Sequence, residues 1–598
     1  MNWCGLHSDI KTGFNGWFNR TVTDIETVKQ SGTTWTCNAF SIEIKRSANF
    51  IQSNSGWFIF TYSAPESSIN VISEIFDSTN FSTLDAQPNV QIFKGLEKKL
   101  TNLLLPGAAI MALNPKKGIT CLMRDASGFV PLYYTVTNNT IHFSSNLGSI
   151  REVNQYQGTN TDKINEMIIY GHRNGKRTLW QNFNSVSPGS ATIIDSERNT
   201  YHQWLLKPET QYDPIIQHKL KKSTEANLLQ IIKNSLDKSL EPLDNEPHIS
   251  VPCGGGVDSS LLGAYLAARG QKVTFWCINQ PEASVREEEW MRPLSHKLNI
   301  PCEYANLNKE LFLTSLIERL KLSHQPLTGP NEVGGILARK LALNAGDKVF
   351  ISGEGADTVF GGLSPFSRLQ GISKVLRALS WLPKRLRIQL SRGLLNEKAW
   401  ILDMSKVSPL EDLAQLAMGD LERAEILAEF TKFKNMGTSK IESYADIFSW
   451  VQLREVASGL NHLFFEQDEF EGGTTHYPFL HPELVSLGLH LPYKYKVNKG
   501  HKKWLWRKFA SKYIGDDVAF RKKYAFPTLT HLWLEPSAIL LNRGYLSDLL
   551  CIDVYTLYNT LPKSSPARWT LINIELWGRL HCLGQSQEQL LNTMMSAN

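Results

Sequence analysis

The spacing of hydrophobic positions changes partway along the chain. Up to about residue 200, apolar residues fall in short runs rich in β-branched and aromatic side chains. Residues 56–62 (Gly-Trp-Phe-Ile-Phe-Thr-Tyr), 108–113, 132–136 and 140–144 read as strands. Asn114-Pro115 and Asn138-Asn139 supply turns between them. This half predicts a layered, β-rich or α+β domain. A polar, proline-bearing stretch at 207–214 closes it. Beyond, Ser223 and Thr224 can cap a helix to about Leu240, with Leu228, Leu229, Ile231, Ile232 and Leu236 along one side. Residues 249–253 read as a buried strand, followed by three glycines and a helix that opens at Ser259. A strand over 272–278, a helix over 287–298 and a strand over 347–352 come next. Strands alternating with helices predict a parallel sheet. The last third is mostly helical in pattern, with many tryptophans and leucines, and there is no internal repeat.

Composition narrows the class. A chain of 598 residues implies roughly two to four domains. With 42% hydrophobic and 20% charged residues it can bury a large core. A net charge of +6 is small for this length and makes no case for nucleic acid. The eight cysteines are scattered without a Cys-x-x-Cys pair, which speaks against a zinc site or a disulfide scaffold and for reduced thiols in the cytoplasm. No signal peptide is read at the N-terminus, and no run of about 18 apolar residues suggests a membrane span.

The chemistry centres on Gly254-Gly255-Gly256-Val257-Asp258-Ser259-Ser260. Glycines between a strand and a helix let backbone N–H groups approach an anion closely, and the helix N-terminus adds partial positive charge. Ser259 and Ser260 offer hydroxyls, and Asp258 suits magnesium on phosphates. The Walker spacing is absent. The bland alternative is a glycine-rich turn in a Rossmann-like domain.

Two further segments favour the sharper reading. The loop resembles the Ser-Gly-Gly-x-Asp-Ser pyrophosphate loop of N-type ATP pyrophosphatases, with Gly254 in place of the first serine. Ser352-Gly353-Glu354-Gly355-Ala356-Asp357-Thr358-Val359-Phe360-Gly361-Gly362 resembles an element of asparagine synthetases, and Arg521-Lys522-Lys523-Tyr524-Ala525-Phe526 their Arg-x-Lys-x-x-Phe segment. The resemblance implies ATP and Mg2+ as cofactors, bound at Val251, Gly254, Gly255, Gly256, Asp258, Ser259, Ser260, Ile278 and Gly353, with Asp258 and Asp357 as the metal ligands. It implies that Lys523 stabilises charge on the acyl adenylate and that Glu354 sits beside the reacting carboxylate. His476 and His481 stand where the family has arginine and aspartate, and both are expected to pack or hydrogen-bond rather than catalyse.

In the first half, Arg124-Asp125-Ala126-Ser127-Gly128-Phe129-Val130-Pro131-Leu132-Tyr133-Tyr134 resembles the family's amidotransferase domain. The expected fold is α/β: an N-terminal Ntn-hydrolase-like αββα sandwich over 1–206, and a C-terminal ATP-pyrophosphatase-type parallel sheet with a helical extension over 215–598. An active glutaminase of this type needs cysteine as its first residue, so that the α-amine can act as base. Cys4 is the remnant candidate, but three residues precede it, and Tyr62-Ser63-Ala64 stands where Phe-Asn-Gly is expected. The domain is therefore expected to be inactive.

With no ammonia made on board, the resemblance turns to β-lactam synthetases, carbapenam synthetases and lasso-peptide cyclases, in which one substrate carries both carboxylate and amine. The expected partner is such a small molecule or peptide, in specialised-metabolite biosynthesis, with neither nucleic acid nor membrane; a homodimer or a pathway partner protein is left open. Glu354 and Ala356 fit neither the β-lactam nor the lasso branch cleanly, so glutamine- or ammonia-dependent asparagine synthesis stays as the alternative. A tRNA-modifying enzyme is disfavoured by charge and cysteine spacing, and a nucleotide-binding scaffold by Glu354, Asp357 and Lys523 together. Residues 374–392 form a basic amphipathic stretch, most simply a surface helix.

Overall fold

Described below are residues 14–596 of a computed structural model, except 20–27, 32–33, 38–39, 45–47, 63–65, 80, 82–91, 94, 105–106, 126, 138–139, 155–157, 171–177, 196–199, 206–212, 284–285, 364–365, 367–448, 450–452, 454–456, 523–528 and 564. The first half is a pair of antiparallel sheets. One runs Asn184–Ser185, Tyr133–Thr137, Thr140–Ser144, Phe14–Asn19, Phe40–Ile44, Thr34–Thr36, Lys29–Ser31 in spatial order. The other runs Thr200–Trp204, Ser190–Ile194, Ile119–Arg124, Ala109–Asn114, Phe58–Tyr62, Ala48–Gln52.

Alternation along one strand shows why these sheets stack. Phe58, Phe60 and Tyr62 face the other sheet, where Trp35 meets Phe60 edge-on at 6.0 Å. Trp57 and Ile59 face the opposite way, onto Ile72 and Phe76 of the helix Glu66–Ser78. Both faces of the strand are buried, so it reads as a continuous apolar run. The helices Leu147–Asn154 and Thr161–Tyr170 pack with Tyr133 on the outer side of the first sheet. The result is the expected αββα sandwich. The strand expected over 56–62 starts at Phe58, because Gly56 (φ +86°) is still in the preceding turn.

The Arg124-Asp125 motif acts here as a staple. Arg124 Nη1 donates to Val186 O at 2.7 Å, and Nη2 donates to Gly128 O. Asp125 is fully buried and accepts from the Ser127 hydroxyl and from Phe129 N. Burial pushes its carboxyl up, against those hydrogen bonds and Arg124.

In the second half, the strands β1 (Ile249–Pro252), β2 (Val273–Asn279), β3 (Cys302–Asn306), β4 (Val349–Ile351) and β5 (Thr474–His476) form one sheet in the order β3-β2-β1-β4-β5. Every neighbouring pair is parallel. The helices that position the site are α1 (Val257–Ala268), α2 (Glu288–Leu298), the short α3 (Ala356–Phe360) and α4 (Trp504–Ile514). The helix foreseen from Ser223 or Thr224 is Glu225–Leu240; Thr224 caps it by accepting from Asn227 N, and Leu228, Ile232 and Leu236 are buried.

The halves meet along an aromatic seam. Phe129 stands edge-on to Phe465 (5.5 Å) and tilted against Tyr477 (4.5 Å). Tyr62 donates its hydroxyl hydrogen to Glu469 Oε1 at 2.9 Å. Elsewhere Arg151 stacks on Trp180 and lies 2.9 Å from His324 Nδ1, while the indoles of Trp180 and Trp577 both donate to His324 O. Burial, reinforced by neighbouring cations, pushes the His324 imidazole well down; burial lowers His581 to about 4. Behind the sheet, Arg339 (1% exposed) pairs with Asp468 and contacts Gln467 and Thr475, tying the helix Asn331–Asn344 to the helix Ala457–Glu471 and to β5. Among the described residues, no helix is long and apolar enough to cross a membrane.

Candidate active site

The loop leaves the carboxyl end of the central strand, where open parallel sheets bind ligands. Cys253 N donates to Trp276 O at 2.9 Å, which fixes the loop's start. Gly255 then adopts φ +73°, with Arg521 Nη2 and Trp290 Cβ within 3.1 Å of where a Cβ would stand. Glycine answers both demands. Gly256 is exposed and precedes α1, whose first-turn N–H groups open outward. A cradle of this kind accepts phosphate.

The second motif packs directly on the first. A Cβ at Gly353 would lie 3.0 Å from Ser259 Oγ and 3.2 Å from both Asp258 Cβ and Ser259 N. Ser352 N donates to His476 O (2.9 Å), and Ser352 Oγ accepts from Glu354 N (3.1 Å), so the turn is held on β5. Gly355 (φ +92°) is backed by Leu480 and Phe479. That turn brings Asp357, in the first turn of α3, toward Asp258 in the first turn of α1.

The two carboxylates converge on Lys503. Its ammonium lies 2.5 Å from Asp258 Oδ2 and 2.8 Å from Asp357 Oδ1, and its side chain is 1% exposed. Trp506 Nε1 donates to Asp258 Oδ1 at 3.0 Å, and its indole stacks on Phe360 at 5.1 Å. Burial opposes the lysine's charge, but Asp258 and Asp357 outweigh it and hold the ammonium above its usual range. Arg507 is pulled down by burial, against the same two carboxylates. Lys503 reaches the site because it adopts φ +55° immediately before α4.

Val251 and Ile278 stand near the carboxyl ends of β1 and β2 with their side chains buried in the core. Ser259 lies at the loop mouth beside Gly353, whereas Ser260 is fully buried with its hydroxyl 3.5 Å from Cys253 Sγ. Glu354 is half-buried near Tyr477, whose phenol is held protonated by burial, opposed by Arg339 and reinforced by Glu354. His481 caps the helix Pro482–His490 by accepting from Glu483 N. Cys4, Ser63, Ala64, Lys523 and residues 374–392 lie outside the described residues. Lys503, Trp506 and Glu287 were not foreseen. The run His501-Lys502-Lys503-Trp504 reads as a solvated basic cluster, and nothing in its pattern marks the buried lysine.

Asp258 and Asp357 fit a magnesium ion by their chemistry. They are hard oxygen donors already gathered around one positive centre, the Lys503 ammonium. Among the described residues no group of three or more His, Cys, Asp or Glu is placed to hold a metal.

A parallel sheet with a glycine-rich loop at the carboxyl end of its central strand, joined to an antiparallel αββα sandwich, defines a class of two-part proteins. Within it, the asparagine synthase family matches residues 241–579, more than half of the chain, and a glutamine amidotransferase domain matches residues 91–205. The chain belongs to the asparagine synthase family. It is 22% identical over 441 residues to asparagine synthetase (glutamine-hydrolyzing) 1 of Bacillus subtilis, covering 69% of this chain and 66% of that protein. It is 25% identical over 294 residues to a putative asparagine synthetase (glutamine-hydrolyzing) 1 of Methanocaldococcus jannaschii, covering 48% and 49%. The chain thus spans less than two thirds of the length of these relatives.

Proposed function

We propose that this chain is an ATP- and Mg2+-dependent amide ligase that adenylates a carboxylate and passes the acyl group to an amine. The observation that carries the reading is the packing of Gly353 on Asp258 and Ser259, which sets Asp258 and Asp357 around one cation at the mouth of the phosphate cradle. The N–H groups of the loop and of α1 hold the phosphates. Asp258 and Asp357 would hold magnesium, which when bound would neutralise charge on the leaving pyrophosphate. A substrate carboxylate oxygen attacks the α-phosphorus and the α–β anhydride bond breaks. The amine nitrogen then attacks the acyl carbon and the carbon–oxygen bond to AMP breaks. Lys503 and Lys523 offset the negative charge, and Glu354 orients the amine and takes its proton.

The amine is proposed to belong to the same substrate, because Tyr62-Ser63-Ala64 stands where the resembled glutaminases have Phe-Asn-Gly. One pocket holding both ends makes the second step unimolecular. The amidotransferase match and the glutamine-hydrolysing relatives support a second reading, in which glutamine donates ammonia. Product mass from Mg·ATP and candidate substrates, with and without glutamine, separates the two. Asp258→Ala and Lys523→Ala are expected to abolish carboxylate-dependent exchange of pyrophosphate into ATP, and retained exchange in either variant refutes the site. Cys4→Ala is expected to leave synthesis untouched; loss of glutamine-supported product would establish the second reading.

A further inference from the structure

Gly254 stands where the resembled loop has a serine, and the structure shows what fills the space. A Cβ added at 254 would fall well inside van der Waals contact of all three carboxyl atoms of Glu287. Glu287 immediately precedes α2, yet its side chain makes no cap hydrogen bond to that helix. Its carboxyl group reaches back to the loop instead. Arg521 closes the same corner, donating to Gly255 O at 2.5 Å and stacking on Trp290 at 4.2 Å.

Resting on the ligase reading above, we propose that the Glu287 carboxyl group stands in for the missing hydroxyl at position 254 and donates a hydrogen bond to the nucleotide's phosphates. An ionised carboxylate there would repel a polyanion, whereas the protonated acid is a donor. Burial pushes the Glu287 carboxyl up to about 7, against the pull of Arg521. The other titratable groups facing it are Cys253 at the end of β1 and Cys277 in β2, both held as neutral thiols by burial. A bound polyphosphate adds negative charge beside the acid and so favours its proton further. Nucleotide binding above neutral pH is therefore coupled to uptake of a proton at Glu287.

The test is calorimetric titration of the full-length chain with Mg·ATP between pH 6 and 9, in buffers of different ionisation enthalpy. In the wild type, affinity is expected to fall toward tenfold per pH unit above about 7, with up to one proton taken up per nucleotide at pH 8. Glu287→Gln, a neutral isostere that keeps a donor, is expected to bind with a flat profile and no such uptake. Gly254→Ser is expected to bind more weakly, and Gly254→Ser combined with Glu287→Ala to recover affinity, since the hydroxyl then occupies the vacated space. Identical pH profiles and proton uptake in wild type and Glu287→Gln would overturn the proposal. So would loss of binding in Glu287→Gln, or a double variant no better than Gly254→Ser. Absence of Mg·ATP binding in the folded wild type would overturn the ligase reading itself, and this proposal with it.

Discussion

Replacing Lys503 with methionine keeps an unbranched side chain one atom shorter and removes the charge shared by Asp258 and Asp357. At 2.5 and 2.8 Å, each ion-pair contact corresponds to roughly 6 kcal/mol of gross attraction at an effective dielectric near 20. Much of that offsets the desolvation of three charges. Removing one member of a buried pair costs about 3–5 kcal/mol net. Lys503→Met is therefore expected to lose stability on that order in EDTA, because two carboxylates are left facing each other without a cation. Magnesium can then occupy the vacated centre. An ion present at a hundredfold excess over its dissociation constant returns about 2.7 kcal/mol. The assay is urea unfolding read by tryptophan fluorescence, with EDTA or with saturating Mg2+, on wild type and variant. A large destabilisation in EDTA, substantially relieved by Mg2+ in the variant and little changed by Mg2+ in the wild type, is the expected result. If Lys503→Met is as stable as wild type in EDTA, or gains no more from Mg2+ than wild type does, the shared-cation argument is refuted.

Three further outcomes are expected. Asp468→Asn leaves the fully buried Arg339 without its counter-charge and should cost about 3–5 kcal/mol, measured by the same unfolding assay; a change under 1 kcal/mol contradicts the buried pair. Because the folded-state value for His581 lies near 4, below its ordinary 6.5, the unfolded chain binds the proton first, so stability should fall as pH drops from about 6.5 to about 4. His581→Phe should flatten that acid loss, and an unchanged acid limb in the variant would count against it. Glu287 has the opposite sign: its value is raised from 4.5 to about 7, so the native state keeps the proton longer and stability should decline as pH rises through that window. Glu287→Gln should thus gain up to about 3 kcal/mol over wild type at pH 8 and little at pH 4.5, read from urea midpoints at the two pH values.

What was legible in the sequence shares one property: it is local. The strand–glycine–helix pattern at 249–260 and the turn at 352–362 announce themselves because backbone conformation and close approach demand glycine at Gly255, Gly353 and Gly355. The sandwich strands were legible from runs such as Phe58–Tyr62, with ends shifted by one or two residues, at the first strand because Gly56 turns the chain. The partners brought from afar were not. Lys503 meets Asp258 across 245 residues of sequence, and a lysine before an aromatic helix looks solvated until those carboxylates arrive. Gly254 was visible as a departure, but Glu287 could not be connected with it, since a glutamate at a helix start ordinarily serves that helix.

The aromatic seam bears on how such a chain can be divided. Phe129 packs on Tyr477, and Tyr477 leads directly into Phe479 and Leu480, which brace the turn at Gly355. The amidotransferase half is thereby part of the wall that sets Asp357, whether or not it handles glutamine. Expressed alone, the synthetase half would present Phe465 and Tyr477 to water and lose the Phe129 packing behind the residues that brace the Gly355 turn. A gene shortened by its first half would encode a chain whose Gly355 turn lacks its outer support, and a gene split between the halves would need both pieces made together in the same cell.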